Sequence, residues 1–120
     1  QLKVAGSPDM CMLPMVWAEP AEAAKIYAVA AGVGKRGWSL ATLQRPACIN
    51  ITVAEQYMWS LDAFIADLTE VAAEVQKVPL GELSGVAGVY GSAAVMPDDK
   101  MESALKSFCD MQMKVKAKAK

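Results

Sequence analysis

Leu2-Lys3-Val4-Ala5-Gly6-Ser7-Pro8-Asp9-Met10-Cys11-Met12-Leu13-Pro14-Met15-Val16-Trp17 is the stretch that decides the fold. An apolar stub, 2–5, runs into Gly-Ser-Pro-Asp, a turn tetrad in which proline presets φ and aspartate bonds its own backbone. The following residues, 10–17, are mostly apolar and read as a second strand, so the natural arrangement is an antiparallel pair. Pro14 removes one ladder donor, which predicts an edge position or a bulge there.

Working outward, Glu19-Pro20-Ala21-Glu22 opens a helix, with proline in the first turn and acids near the positive end of the dipole. Ala23, Ile26, Tyr27, Ala30 and Val33 recur at spacings of three and four and form its buried face. Lys35 and Arg36 sit in the last turn and Gly37 is a C-cap, so the helix is expected over 20–36. Residues 38–47 read as a connector, with Arg45-Pro46 pushing the backbone towards extended geometry. Cys48-Ile49-Asn50-Ile51-Thr52-Val53 alternates and is β-branched, a strand with Ile49, Ile51 and Val53 on one face and Asn50 and Thr52 on the other.

Ser60 is expected to cap a second long helix that Pro79 stops. Leu61, Phe64, Ile65, Leu68, Val71 (or Ala72), Val75 and Val78 form its inward stripe, while Asp62, Asp67, Glu70 and Glu74 make a solvated face. Gly81, Gly85, Gly88 and Gly91 punctuate 80–97 and imply close backbone approach, not a solid helix. Asp99 and Glu102 stand in a capping-box arrangement before a last helix with Met101, Ala104, Leu105, Phe108 and Met111 inward. Lys114, Lys116, Lys118 and Lys120 alternate with small residues in a basic, frayed tail over 113–120. The expected fold is α+β: a short antiparallel sheet covered on one face by two long helices plus a C-terminal helix.

With 120 residues there is room for one domain, and 54% hydrophobic residues supply a core. Twelve basic against thirteen acidic residues, net charge -1, exclude a broadly basic nucleic-acid surface. The absence of histidine excludes imidazole bases, His-based triads and HExxH zinc sites. Cys11, Cys48 and Cys109 form neither a disulfide framework nor a CxxC metal site, which points to a reducing compartment. No uncharged run has the length of a bilayer-spanning helix. Gln1 begins no signal-peptide pattern, and the chain reads as part of a longer polypeptide.

The residues alone describe no self-sufficient enzyme. There is no GxxxxGK[ST] phosphate loop, and Gly85, Gly88 and Gly91 only loosely imitate GxGxxG. Gly32 and Gly34 are better explained by capping or helix packing. A nucleophilic lysine needs desolvation or a neighbouring cation, and Lys3, Lys25, Lys35, Lys77, Lys100 and Lys106 all occupy polar or terminal contexts. Asn50 and Thr52 face either a ligand or solvent. Tyr90, between glycines, is either a donor to an anion or a half-buried aromatic with a satisfied hydroxyl. Trp17, Trp38 and Trp59, with eight methionines, suit core or docking surfaces.

Several strings in order resemble the C-terminal region of the sphingosine-1-phosphate lyases: Gly6-Ser7-Pro8-Asp9-Met10, Ile26-Tyr27, Lys35-Arg36-Gly37-Trp38-Ser39-Leu40, Leu43-Gln44-Arg45-Pro46, the 48–53 strand, Phe64-Ile65-Ala66-Asp67-Leu68 and Gly88-Val89-Tyr90-Gly91-Ser92-Ala93. The resemblance implies a fold-type-I enzyme dependent on pyridoxal 5'-phosphate, with a large cofactor domain and a smaller C-terminal α+β domain, assembled as a homodimer. Such enzymes cleave the C2–C3 bond of a phosphorylated long-chain sphingoid base to a fatty aldehyde and phosphoethanolamine. By that resemblance residues 1–112 form the small domain, and the cofactor belongs to the large domain and not to these residues. They supply no catalytic residue and no metal ligand, and the segment is inactive by itself. Tyr90 and Asn50 become the substrate-side candidates. The family has histidine where this chain has Asn50, and Tyr-Gly-Met-Ala where it has Tyr90-Gly91-Ser92-Ala93. The implied partners are the cofactor domain, a second copy of the parent and the sphingoid base, with no nucleic acid or membrane contact by this segment. The implied location is the cytosolic side of the endoplasmic reticulum in a eukaryote, otherwise the cytoplasm. Two alternatives stand beside it: the same domain of an amino-acid decarboxylase, with Arg45 or Arg36 meeting the α-carboxylate, and a stand-alone interaction domain.

Overall fold

A computed structural model describes residues 1–83 together with Pro97, Lys100, Glu102, Ser103, Lys106, Ser107, Cys109 and Asp110. Four strands, β1 Leu2–Val4, β2 Met12–Trp17, β3 Ala41–Gln44 and β4 Ala47–Thr52, form one antiparallel sheet in the order β1-β2-β4-β3. Helix α1, Lys25–Lys35, lies against β2 and β4, and helix α2, Leu61–Gln76, packs chiefly along α1. The α+β architecture, with two helices and an antiparallel sheet, is the expected one. The glycine-rich segment, the inward set of the last helix, Tyr90 and the lysine tail lie outside the described residues. Lys100, Glu102, Ser103, Lys106, Ser107, Cys109 and Asp110 are helical.

The strand pair at the start forms as its turn chemistry dictates, with Gly6 at φ +73°. However, β2 is an interior strand and not an edge. Pro14 is tolerated there because its carbonyl accepts from the Ala5 amide at 2.9 Å, so its ring nitrogen also faces the β1 side, where the pairing runs out after Val4. The missing donor therefore falls at the end of β1 and leaves the β2–β4 ladder intact.

Residues 38–47 are not a connector. They contain β3 and a two-residue hairpin turn, Arg45-Pro46, whose peptide bond is cis. Thr42 and Leu43 alternate against Ile49 and Cys48, and this short strand is held by its partner more than by its own composition.

The first helix also starts later than expected. A 3-10 turn over Pro20–Glu22, capped by the Glu19 carboxylate, precedes an α-helix that begins at Lys25. Its far end is a Schellman motif: Gly37, at φ +96°, sends its amide to Gly34 O at 3.1 Å while the Trp38 amide reaches Val33 O at 3.2 Å. Ser60 does not cap α2. Its hydroxyl donates back to Tyr57 O at 3.1 Å, at the end of a 3-10 stretch, Glu55–Ser60, that leads into the helix. The buried stripe of α2 is Phe64, Val71, Ala72 and Val75, with Leu68 partly covered; Ile65 turns outward and is half exposed.

Met15, Trp17, Ile26, Tyr27, Val29, Val33 and Ile49 complete the core. Two polar ties cross it. Tyr27, buried on α1, donates its hydroxyl to Leu43 O at 2.8 Å and so fixes β3 to the helix. Lys25 is buried, contrary to its sequence reading as a polar-context residue. Its ammonium lies 2.8 Å from Glu22 and 3.2 Å from Gln76 O at the C-terminus of α2, with the Trp17 ring 5.7 Å away. A cation at that carbonyl end opposes the helix dipole favourably.

Gly32 marks the closest approach of the two helices: a Cβ built there would sit 2.5 Å from Val71 Cγ1. Gly34, two residues on, has nothing within 4 Å. Gly32→Ala is expected to destabilise the fold by about 1 kcal/mol, overpacking outweighing the gain in helix propensity. Gly34→Ala is expected to stabilise it by about 0.5–1 kcal/mol. Urea unfolding of the two variants checks the opposite signs.

Candidate functional site

A cavity of about 570 Å³ opens where the end of α1, the start of β3, the end of β4 and the start of α2 meet. Its volume falls within the usual range for small-molecule sites, about 300–1,000 Å³. Trp38, Leu40, Ile51, Leu61 and Phe64 supply apolar lining, and Ser39, Asn50, Thr52, Tyr57 and Ser60 supply polar groups. Among the described residues no lysine, arginine, aspartate or glutamate lines it.

The Schellman turn at Gly37 aims the chain so that Trp38 meets α2. Its ring packs edge-on against Phe64, centroids 5.2 Å apart and planes at 72°, and its Nε1–H donates to Asp67 Oδ2 at 2.7 Å. Arg36 completes the fastening. One guanidinium nitrogen lies 2.8 Å from Asp67 Oδ1 and 2.6 Å from Glu70 Oε2, and the other is 3.8 Å from Glu74. Of the acids expected to form a plain solvated face, Asp67, Glu70 and Glu74 are therefore gripped by the end of α1. The Trp38 indole N–H, followed by Arg36, holds the Asp67 carboxyl below its ordinary range, and Arg36 does the same for Glu70.

Asn50, at the β4 edge of the cavity, directs its side chain to the sheet face of Pro14 and Met12, away from the helices. It stands opposite Pro14 on β2 and Ala41 on β3, neither of which offers a side-chain donor. Its Nδ2 reaches only the Met12 thioether, at 3.4 Å, and its Oδ1 is buried without a hydrogen-bond partner. Native structures rarely leave such an acceptor unmatched, and the desolvation it forfeits is about 1–3 kcal/mol. Of the two sequence candidates, the structure places Asn50 in a cavity wall together with Thr52, and Tyr90 lies outside the described residues. Trp38, legible in sequence as core or docking material and as part of the lyase-like string, and Tyr57, which carried no signal beyond being aromatic, both line the cavity.

Elsewhere the chemistry is sparse. Burial raises the Cys48 thiol above its ordinary value, so it stays protonated and unreactive; all three cysteines are free. Among the described residues no group of three metal-ligating side chains converges, and no helix is long and apolar enough to cross a membrane.

No protein-family model matches the chain. Over 113 residues, 93% of the chain, it is 36% identical to a sphingosine-1-phosphate lyase of Arabidopsis thaliana. It is 33% identical over 100 residues to the sphingosine-1-phosphate lyase of Oryza sativa subsp. japonica, and 33% over 75 residues to that of Drosophila melanogaster. The chain resembles a segment of the sphingosine-1-phosphate lyases. It spans only 20% and 18% of the length of the two plant lyases.

Pyridoxal 5'-phosphate, the cofactor the lyase resemblance implies, does not fit the described residues. Among the described residues the cavity has no lysine to carry it and no cation for its phosphate, and the one buried lysine among them, Lys25, is already bound to Glu22 and the end of α2.

Two variants test the electrostatics of this lyase-like segment. The depressed Asp67 and Glu70 carboxyls contribute stability above their unfolded values of about 4, and this is lost as pH falls through their lower folded values. Arg36→Met is therefore expected to lower the urea midpoint at pH 7 and to converge with wild type as the pH falls below the lowered folded values of both carboxyls. Asn50→Leu removes the orphaned acceptor and is expected to stabilise the fold by about 1 kcal/mol, read from the same unfolding curves.

Proposed function

We propose that this chain is the C-terminal small domain, residues 1–112 with a basic tail over 113–120, of a carbon–carbon lyase acting on phosphorylated long-chain sphingoid bases, yielding a fatty aldehyde and phosphoethanolamine. The observation that carries the reading is the match to sphingosine-1-phosphate lyases over 93% of the chain. Pyridoxal 5'-phosphate, held by the larger remaining part of the polypeptide, supplies the electron sink for the bond cleavage. These residues instead wall the pocket, exclude water and orient substrate. In this reading Asn50 binds substrate through its unmatched acceptor and Tyr90 donates to the phosphate.

The sheet supports a docked role. Alternation puts Met12, Pro14, Val16 and Leu43 on the face opposite the helices, and Met12 and Leu43 are half exposed there. That face would meet the cofactor domain, in a parent that is a homodimer on the cytosolic side of the endoplasmic reticulum in a eukaryote, or in the cytoplasm otherwise. The decarboxylase alternative draws less support, because Arg36 is committed to Asp67 and Glu70 and Arg45 does not line the cavity. A stand-alone interaction domain explains neither the orphaned Asn50 nor the ordered match to the lyases.

Intact-mass measurement of the whole protein purified from its source and treated with borohydride tests the reading. A chain several times longer, with one pyridoxyl-phosphate adduct on a lysine outside these residues, is expected. An unmodified chain of this length overturns it. In the whole enzyme Asn50→Leu is expected to lower kcat/KM for the phosphorylated base about tenfold, the loss of one hydrogen bond, although it stabilises the fold.

A further inference from the structure

We infer that the entry to α2, through Met58, Trp59 and Ile65, is a docking surface for the large remainder of the parent polypeptide. This rests on the lyase reading for the existence of that remainder, and it adds a second contact to the sheet face. Of the three tryptophans, Trp17 is buried in the core and Trp38 packs against Phe64, whereas Trp59 is 94% exposed. Tryptophan is highly buried on average, so an indole left almost wholly in water is the exception. It does not stand alone. Met58 and Ile65 are at least half exposed in the same stretch, and Tyr57 is half exposed at the cavity mouth. The 3-10 stretch Glu55–Ser60 runs straight into α2, so the seven positions between Met58 and Ile65 bring them to one side of a single helical path. A cluster of this kind marks an interaction site, where a single exposed apolar residue would not.

Size selects the occupant. The four side chains expose on the order of 600 Å² together, less than the roughly 800 Å² per partner that a stable pair of free chains buries. Such a patch suffices for a surface tethered to it, because the covalent connection supplies the effective concentration. The chain spans only 20% and 18% of the two plant lyases, so most of a lyase-like parent is available as that tethered surface. Charge then narrows its chemistry. Residues 55–76 carry Glu55, Asp62, Asp67, Glu70 and Glu74 and no lysine or arginine. Arg36 engages the last three, which leaves the exposed Glu55 and Asp62 flanking the patch. The matching surface is an apolar pocket rimmed by lysine or arginine. The same acids turn away an anionic lipid surface.

The test is made in the whole protein, assembled from isotope-labelled and unlabelled copies, with a benzophenone amino acid in place of Trp59. After irradiation, peptide mapping is expected to find linkage within one chain, to peptides outside 1–120 that contain lysine or arginine. Trp59→Ser leaves the packing of this segment unchanged, because the indole is exposed, and supplies a second readout. Limited proteolysis is expected to detach the segment from that variant at least about tenfold faster than from wild type, as for the loss of an interface hot spot. Linkage confined to this segment, linkage between copies, linkage to lipid, no linkage, or an unchanged rate of detachment each overturns the inference. Aldehyde formation from the phosphorylated base is measured in parallel to separate the two readings. Aldehyde formed alongside any of those outcomes keeps the lyase and removes the docking surface. Linkage to the remainder without aldehyde removes the lyase and keeps the docking surface.

Discussion

The close contact of α1 with α2 is the constraint on which the rest depends. Gly32 lets Val71 approach nearer than any side chain would permit, and so sets the helices at a separation where the end of α1 reaches across α2. Arg36 then meets Asp67 and Glu70, and the Schellman turn delivers Trp38 to Asp67 and Phe64. Widen the contact and Trp38 loses both partners, and with them the cavity loses its wall. At the opposite end Lys25 ties the start of α1 to the last carbonyls of α2, so the pair is fastened at both ends.

The sheet contributes the complementary feature. Pro14 sits in an interior strand without breaking the β2–β4 ladder, because its missing donor faces the place where β1 ends. The same alternation puts Asn50 between Pro14 and Ala41, where no side chain can satisfy it. An unsatisfied amide on a sheet face is a local inconsistency of the kind proteins keep where function requires it.

Much of the site was hidden from sequence because its parts are ordinary residues. Asn50 stood out as polar on an alternating strand, but its isolation depends on which residues pair beside it. Asp67 and Glu70 looked like a wet helix face, since i and i+3 acids do so on any exposed helix. Only the position of Arg36 on a different helix turns them into a clamp. Lys25 read as a surface residue for the same reason: its partner, Gln76 O, is 51 positions away. The resemblance to the lyases was legible earlier, because ordered strings such as Gly37-Trp38-Ser39-Leu40 need no tertiary contact to be recognised.

The sequence by itself determined the local elements: the turn at Gly6 to Asp9, the apolar face of α1, the left-handed cap at Gly37 and the stripe along most of α2. Each follows from φ preferences and side-chain periodicity within a few residues. Tertiary structure alone decided that β2 is interior, that 41–44 pairs as β3, that Ile65 turns outward, and that Asn50 lines a cavity with an acceptor unmet. These are consequences of strand order and helix separation, which depend on contacts between residues far apart in the chain and leave no local periodic trace.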